Sequence, residues 1–122
     1  LLTGIGQKMR EIDKDVWVNY VINQCKDVEY CLVDDLRYQN EYEALVKNGF
    51  KIIQLNISDE LQESRIKMVY PNNYVDHLNN RNHPSELNTF QWLNTIDGKH
   101  PHLSIDSSMD KEDIKNLVKE FI

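Results

Sequence analysis

Several features typical of membrane proteins and nucleic-acid-binding proteins are missing from this sequence. No apolar run approaches the ~20 residues that a membrane-spanning helix needs, and residues 1–4 have neither the basic nor the long apolar region of a signal peptide. The 14 Lys and Arg residues are scattered along the chain, and the net charge is −6. Because binding to a nucleic-acid backbone needs clustered cations, we expect neither a nucleic-acid polymer nor a membrane as a partner.

Cysteine is also scarce, with Cys25 and Cys31 as the only two. Their spacing matches neither a CxxC metal site nor the disulfide framework of a small secreted protein. We therefore interpret both as reduced, mostly buried thiols, and we predict a cytoplasmic protein. The four histidines lack the i, i+4 spacing of a helical zinc pair. Accordingly, no metal held directly by protein side chains is predicted.

The apolar periodicity indicates alternating helices and strands, and hence an α/β fold with a parallel sheet in one domain. A broad apolar stripe over residues 15–25 predicts a helix packed on two sides, and residues 30–33 read as a short buried strand. A helix from Gln39 should end at Asn48 and Gly49. The later predictions are a strand over 50–57, a helix capped by Ser58, a polar excursion over 70–84, a strand over 102–105 and a final amphipathic helix over 114–121.

Charged residues follow the predicted strand 30–33 at its carboxyl end. In open α/β sheets, ligands bind beyond these strand ends. Asp34 and Asp35 stand there, and the guanidinium of Arg37 matches the paired oxygens of a phosphate. The alternative is structural: one carboxylate caps the next helix and the other pairs with Arg37, or Arg37 is a surface residue that pairs with Glu41 four residues later.

Three segments in this order resemble the second half of the P-loop nucleoside monophosphate kinases, most closely the phage and viral deoxynucleoside monophosphate kinases. The central segment, DDLRYQNEYEALVKNGF, resembles the family pattern D-x-R-[FY]-x-N-E followed by a helix and an N-G turn. Upstream, TGIGQKMREIDKDVWV resembles a segment with a conserved glycine, arginine and tryptophan, although Gln7 stands where threonine is usual. Downstream, HPSE resembles H-x-S-E. The matching residues are Gly6, Arg10, Trp17, Asp35, Arg37, Tyr38, Asn40, Glu41, Gly49, His83, Ser85 and Glu86.

This resemblance implies a three-layer P-loop kinase-type parallel sheet flanked by helices, with a lid over about residues 67–86. It also implies transfer of the γ-phosphoryl group of ATP, with Mg²⁺, to a (deoxy)nucleoside monophosphate. The phosphate-binding motif G-x-x-x-x-G-K-[ST] is absent from the 122 residues. We expect the βα unit that carries it to lie upstream, and this C-terminal portion of the fold to be inactive by itself.

The resemblance also assigns roles to individual residues. Arg37 would clamp the acceptor phosphate, Asp35 would position the acceptor or metal-bound water, and Arg10 would neutralise charge during transfer. Asn40 and Glu41 would face the acceptor base, although Glu41 is equally explained as a charge at a helix N-terminus. Trp17 belongs to the substrate site or to the core. The lid and phosphate residues would be Arg65, Arg81, His83, Ser85 and Glu86, with Lys67 nearby.

Two other functions fit the same sequence. One is a kinase for another small phosphorylated acceptor, such as phosphomevalonate. The other is a noncatalytic nucleotide-binding or interaction module that kept the fold. The sequence leaves base preference undetermined and allows a homodimer.

Overall fold

The computed structural model describes residues 2–81, 92–93, 98 and 100–122. Within them it contains six helices and one two-stranded parallel sheet, so the prediction of a mixed α/β architecture is confirmed at that level. The chain divides into two compact units, residues 1–51 and 52–122. The elements are α1 (Leu2–Ile12), α2 (Val16–Cys25), α3 (Gln39–Lys47), β1 (Ile53–Asn56), α4 (Asp59–Val69), α5 (Tyr74–Arg81), β2 (Leu103–Asp106) and α6 (Lys111–Phe121).

The first unit is built on helices α1, α2 and α3. The predicted helix over 15–25 is confirmed, and α2 contacts both α1 and α3. Only Val18 and Ile22, one turn apart, are buried on α2, whereas Trp17 and Tyr20 are 38% and 62% exposed. The fully buried stripe is thus a single i, i+4 pair, and the remaining apolar residues of α2 are half-buried or exposed.

Helix α3 begins at Gln39, as predicted, and buries Tyr42 and Leu45. After Asn48 the backbone enters the left-handed region at Gly49, with φ of +85°. This conformation suits glycine because a side chain would crowd the backbone there. The predicted helix stop is therefore confirmed.

The predicted buried strand over residues 30–33 is wrong. Residues 30–37 have no regular secondary structure, and Tyr30 and Leu32 are 73% and 90% exposed. Cys31 and Val33 are half-buried, so the two-residue alternation of an extended chain remains. A strand needs a hydrogen-bonded neighbour. The described part of the first unit contains helices and no strand with which this segment could pair.

The expectation of free thiols is also wrong, because Cys25 and Cys31 form a disulfide. Cys25 is the last residue of α2, and the turn at Lys26 and Asp27 brings the chain back towards the helix end. The two Cα atoms lie 5.7 Å apart, within the range that a disulfide spans. The cytoplasmic location stays a prediction.

In the second unit, β1 and β2 pair in parallel, from Ile53 opposite Leu103 to Asn56 opposite Asp106. At the start of the pair, the backbone amides of His102 and Leu103 donate to the Ile52 carbonyl at 2.8 and 3.2 Å. The Ile52 amide donates in return to His102 Nδ1 at 2.9 Å. The predicted parallel pairing is confirmed, while the three-layer P-loop architecture stays a prediction.

Among the described residues of this unit, three helices accompany the sheet. The amide of Leu61 donates to Ser58 Oγ at 3.2 Å, so the predicted cap of α4 is confirmed. The polar excursion contains a helix, α5, which the density of asparagine had concealed. Helix α6 is confirmed, and its predicted apolar face is half-buried. The described residues include no helix with the length and apolar character needed to cross a bilayer.

The second unit has a small core. Ile105 of β2 is 1% exposed, and Ile52 and Leu93 are also buried.

Candidate functional site

Two of the segments singled out by sequence meet in the first unit. The guanidinium of Arg10, on α1, lies over the ring of Tyr38 with its carbon 4.7 Å from the ring centroid. Arg10 Nη2 also lies 3.8 Å from Glu41 Oε1, and both side chains are more than two-thirds buried. A cation on an aromatic face beside a carboxylate is held in orientation by two attractive contacts. We call Arg10, Asp15, Tyr38, Asn40 and Glu41 the α3 N-terminal cluster.

Glu41 organises the first turn of α3. Its Oε2 accepts hydrogen bonds from the backbone amides of Arg37 and Tyr38, at 3.0 and 3.1 Å. These donors precede the helix and would otherwise lack a partner within it. Because the other oxygen faces Arg10, the carboxylate is engaged on both sides. This geometry matches the structural interpretation of Glu41, and a contact with a base stays a prediction.

Asn40 joins α3 to the turn between α1 and α2. Its Nδ2 donates to the Lys14 carbonyl and to Asp15 Oδ1, both at 2.9 Å. Both amide hydrogens are thus used inside the protein, because each of these partners can only accept. The side-chain oxygen is the group that Asn40 has left for a ligand. Any base edge that touches it must therefore donate a hydrogen.

Asp15 is a site residue that the sequence reading missed. It precedes α2 in the N-cap position, where an aspartate normally accepts a hydrogen bond from its own helix. Here the side chain makes no such cap and accepts from Asn40 instead. The available signal was a polar residue before a helix start, which does not reveal a distant partner.

The other predicted site residues of the first unit lie outside the α3 N-terminal cluster and are more exposed to solvent. Asp35 and Arg37 are exposed on the irregular segment that leads to α3. The Arg37 amide bonds to Glu41, so the backbone at Arg37 is fixed by the cluster. Trp17 donates its indole N–H to the Gly6 carbonyl at 3.3 Å and so links α2 to α1. This contact gives Trp17 a structural role.

The predicted lid cations belong to the second unit and contact other residues of that unit. Arg65 Nη2 donates to the Ser107 carbonyl at 2.8 Å. Arg81 Nη1 donates to Gln62 Oε1 at 3.3 Å and to the Asp59 carbonyl at 3.4 Å. Lys67 pairs with Glu63 at 3.0 Å. The predicted His83, Ser85 and Glu86 lie outside the described residues.

An ionised carboxylate stands at the carboxyl end of β2. The backbone amide of Ser108 donates to Asp106 Oδ1 at 2.9 Å. This bond, together with one from the Ser108 side chain, lowers the pKa of Asp106 below its ordinary value. The Asp-Ser-Ser sequence is a turn signal that could have indicated this contact. Among the described residues, no group of three His, Cys, Asp or Glu side chains could hold a metal ion.

Comparison of the chain with protein families, with curated proteins and with solved structures finds no match. The function is therefore inferred from the residue pattern and from the geometry of the first unit.

Proposed function

We propose that this chain forms the acceptor side of a phosphotransferase, which moves the γ-phosphoryl group of ATP, as its Mg²⁺ complex, to a (deoxy)nucleoside monophosphate. One observation carries the proposal. Arg10 from the upstream segment contacts Tyr38 and Glu41 of the D-x-R-Y-x-N-E segment. Two stretches that resemble the same family thus converge in space, as parts of one binding site should.

Arg10 and Arg37 have the chemistry to bind a phosphate monoester. Such a ligand carries close to two negative charges at neutral pH, and a guanidinium matches its oxygens with paired donors. Arg10 is oriented by Tyr38 and Glu41. Arg37 lies just before α3, the helix that carries Glu41. In the proposal, Arg37 clamps the acceptor phosphate and Arg10 neutralises charge during transfer. Asp35, exposed on the preceding segment, positions the acceptor or water bound to Mg²⁺.

A second candidate function is nucleotide binding without transfer. One observation favours it: the motif G-x-x-x-x-G-K-[ST], which would hold the donor phosphates, is not among these residues. Both candidates require that the first unit bind a nucleoside monophosphate. They differ in whether a protein containing the donor loop forms a diphosphate.

Calorimetric titration tests the shared step. The chain should bind at least one of the four deoxynucleoside monophosphates, and should bind the corresponding nucleoside much more weakly. Arg37→Ala should weaken binding of the monophosphate and leave binding of the nucleoside unchanged, because the side chain is assigned to the phosphate. Lys8→Ala is the matched control, since Lys8 is an exposed cation paired with Glu11.

The outcomes separate the two candidates. Diphosphate formation from ATP by a natural chain that contains the donor loop supports the kinase. Binding without any transfer by such a chain supports the module. If no monophosphate binds to the folded protein, the proposal fails in both forms.

A further inference from the structure

The irregular segment before α3 is attached at two points, a disulfide and a hydrogen bond at Arg37. From residue 28 to residue 36, no backbone hydrogen bond joins this segment to another element in the part of the chain that the structure describes. The disulfide from Cys31 to Cys25 fixes its first half to the end of α2. Its second half ends at Arg37, whose amide is bound by Glu41. The segment that carries Asp34 and Asp35 is therefore anchored at the disulfide on one side and at the α3 N-terminal cluster on the other.

Packing restrains this segment only in part, since Val33 and Leu36 are half-buried and no side chain from residue 28 to residue 36 is fully buried. Tyr30 and Leu32 are largely exposed, so their apolar side chains add little packing to hold the backbone. Opening the disulfide would leave the chain free between the end of α2 and Arg37. Residues with few buried contacts and few backbone hydrogen bonds are the ones that move when such a restraint is lost.

The disulfide is also within reach of small thiols. Cys25 and Cys31 are both half-buried, one at a helix end and the other in the irregular segment. Exchange needs a thiolate to attack one sulfur of the bond, so access to the sulfur controls whether it happens. A buried disulfide within a core would not meet this requirement.

We infer that thiol–disulfide exchange at Cys25 and Cys31 regulates the proposed acceptor site, with the oxidised form binding the nucleotide more tightly. This inference rests on the proposed function. In the reducing direction, the thiolate of a small thiol attacks one sulfur, the disulfide breaks and a mixed disulfide forms. A second small thiol then releases the protein thiol. The small thiols are oxidised to their disulfide, and the two cysteines take up two electrons and two protons.

The physical basis is that, before the nucleotide binds, the segment is more ordered in the oxidised protein than in the reduced protein. In the oxidised protein, the segment leading to Asp35 and Arg37 is already restrained at Cys31. In the dithiol form, nucleotide binding must first order this segment, which reduces the apparent affinity. The expected coupling is at least about fivefold in affinity, the lower end of ordinary allosteric couplings.

The experiment compares oxidised and reduced chains by calorimetry with the four deoxynucleoside monophosphates as probes. Thiol counting with a coloured disulfide reagent verifies each redox state, and far-ultraviolet circular dichroism verifies folding. The oxidised chain should bind at least about fivefold more tightly. The double variant Cys25→Ser with Cys31→Ser should resemble the reduced chain in both buffers. If that variant does not fold, the comparison of the oxidised and reduced wild-type chains still tests the inference.

A second measurement needs no ligand. The amides of Arg37 and Tyr38 donate to Glu41, so their hydrogen exchange reports on the end of the segment. Reduction should speed exchange at both amides. Unchanged exchange, or equal nucleotide affinity in the two redox states, overturns the inference and leaves the proposed function standing. Absence of binding in both states refutes the proposed function, and the inference with it.

Discussion

The guanidinium of Arg10 lies over the aromatic ring of Tyr38, 4.7 Å from its centroid. This contact joins the first helix of the chain to the residue that precedes α3. It also places a positive charge beside the carboxylate of Glu41. Glu41 in turn accepts a hydrogen bond from the backbone amide of Arg37, just before α3. Arg10 is thus a cation held in a fixed orientation within the first unit, and the first prediction concerns it.

Replacing Arg10 by glutamine should weaken binding of a nucleoside monophosphate by at least about tenfold, since a charge-assisted hydrogen bond contributes ~1.5–3 kcal/mol. Arg10→Lys should recover part of the loss, because it restores the charge without the planar pair of donors. Calorimetric titration measures both effects. Lys8→Gln, on the same helix, is the control and should bind as the wild type does. An unchanged affinity for a folded Arg10→Gln chain would remove Arg10 from the site.

Asn40→Asp should lower the free energy of unfolding by about 1–3 kcal/mol, the usual cost of leaving polar partners unsatisfied. The new carboxylate would face Asp15 Oδ1 and the Lys14 carbonyl, which are both acceptors. Urea unfolding followed by circular dichroism gives the value. Asn19→Asp is the control, because Asn19 is exposed on α2.

A second substitution can restore this contact. In the double variant with Asp15→Asn, an amide again faces a carboxylate, so part of the lost stability should return. Equal losses in the single and double variants would show that the bond between Asn40 and Asp15 contributes little.

Gly49→Ala and Gly4→Ala should change stability in opposite directions. Gly49 has φ of +85°, so alanine is strained there and should cost about 1 kcal/mol. Gly4 lies within α1, and a Cβ added to it would meet nothing within 4 Å. Alanine at this position should stabilise by about 0.5–1 kcal/mol through helix propensity. Thermal or urea unfolding measures both variants. A loss of stability in both would contradict the assignment of Gly4 to an open helical position.

Asp106 should make stability depend on pH in the acid range. Its pKa is lower in the folded chain than the ordinary value of 3.8, because Ser108 donates hydrogen bonds to the ionised carboxylate. The unfolded chain therefore takes up the proton first as the pH falls. The contribution of this carboxylate is fully present well above pH 3.8 and is lost as the pH falls through the lower, folded-state pKa.

The measurement is urea unfolding of the wild type and Asp106→Asn across this range. The variant should be less stable at neutral pH, and the difference should shrink in acid. Asp110→Asn is the control, since the Asp110 side chain makes no cap to α6. A difference that grows in acid would reverse the predicted sign.

Several elements could be predicted from sequence because their signals are local. Ser58 caps α4 through the amide of Leu61 three residues later, and the capping pattern can be read directly. Gly49 ends α3 because a glycine is needed at a positive φ. Parallel pairing of β1 and β2 also followed from the order of strands and helices, since strands separated by helices favour that direction.

Other features could not be predicted from the sequence, in most cases because they depend on neighbours that only the fold provides. Residues 30–33 have the composition of a buried strand, yet a strand forms only where a neighbour offers hydrogen bonds. The disulfide depends on how the chain turns after α2, and a six-residue spacing does not show this. Helix α5 was concealed because asparagine usually favours turns.

For the candidate site, the sequence likewise indicates the residue types but not their contacts. The chemical types were in the sequence: arginines for a phosphate, a glutamate at a helix start and an amide one residue before it. Their partners were not. Only the folded first unit places Arg10 on Tyr38 and Asn40 on Asp15, because each contact joins residues that are more than 20 positions apart. Local periodicity and capping determine the helices and the chemistry each carries, whereas contacts over such separations depend on how helices pack.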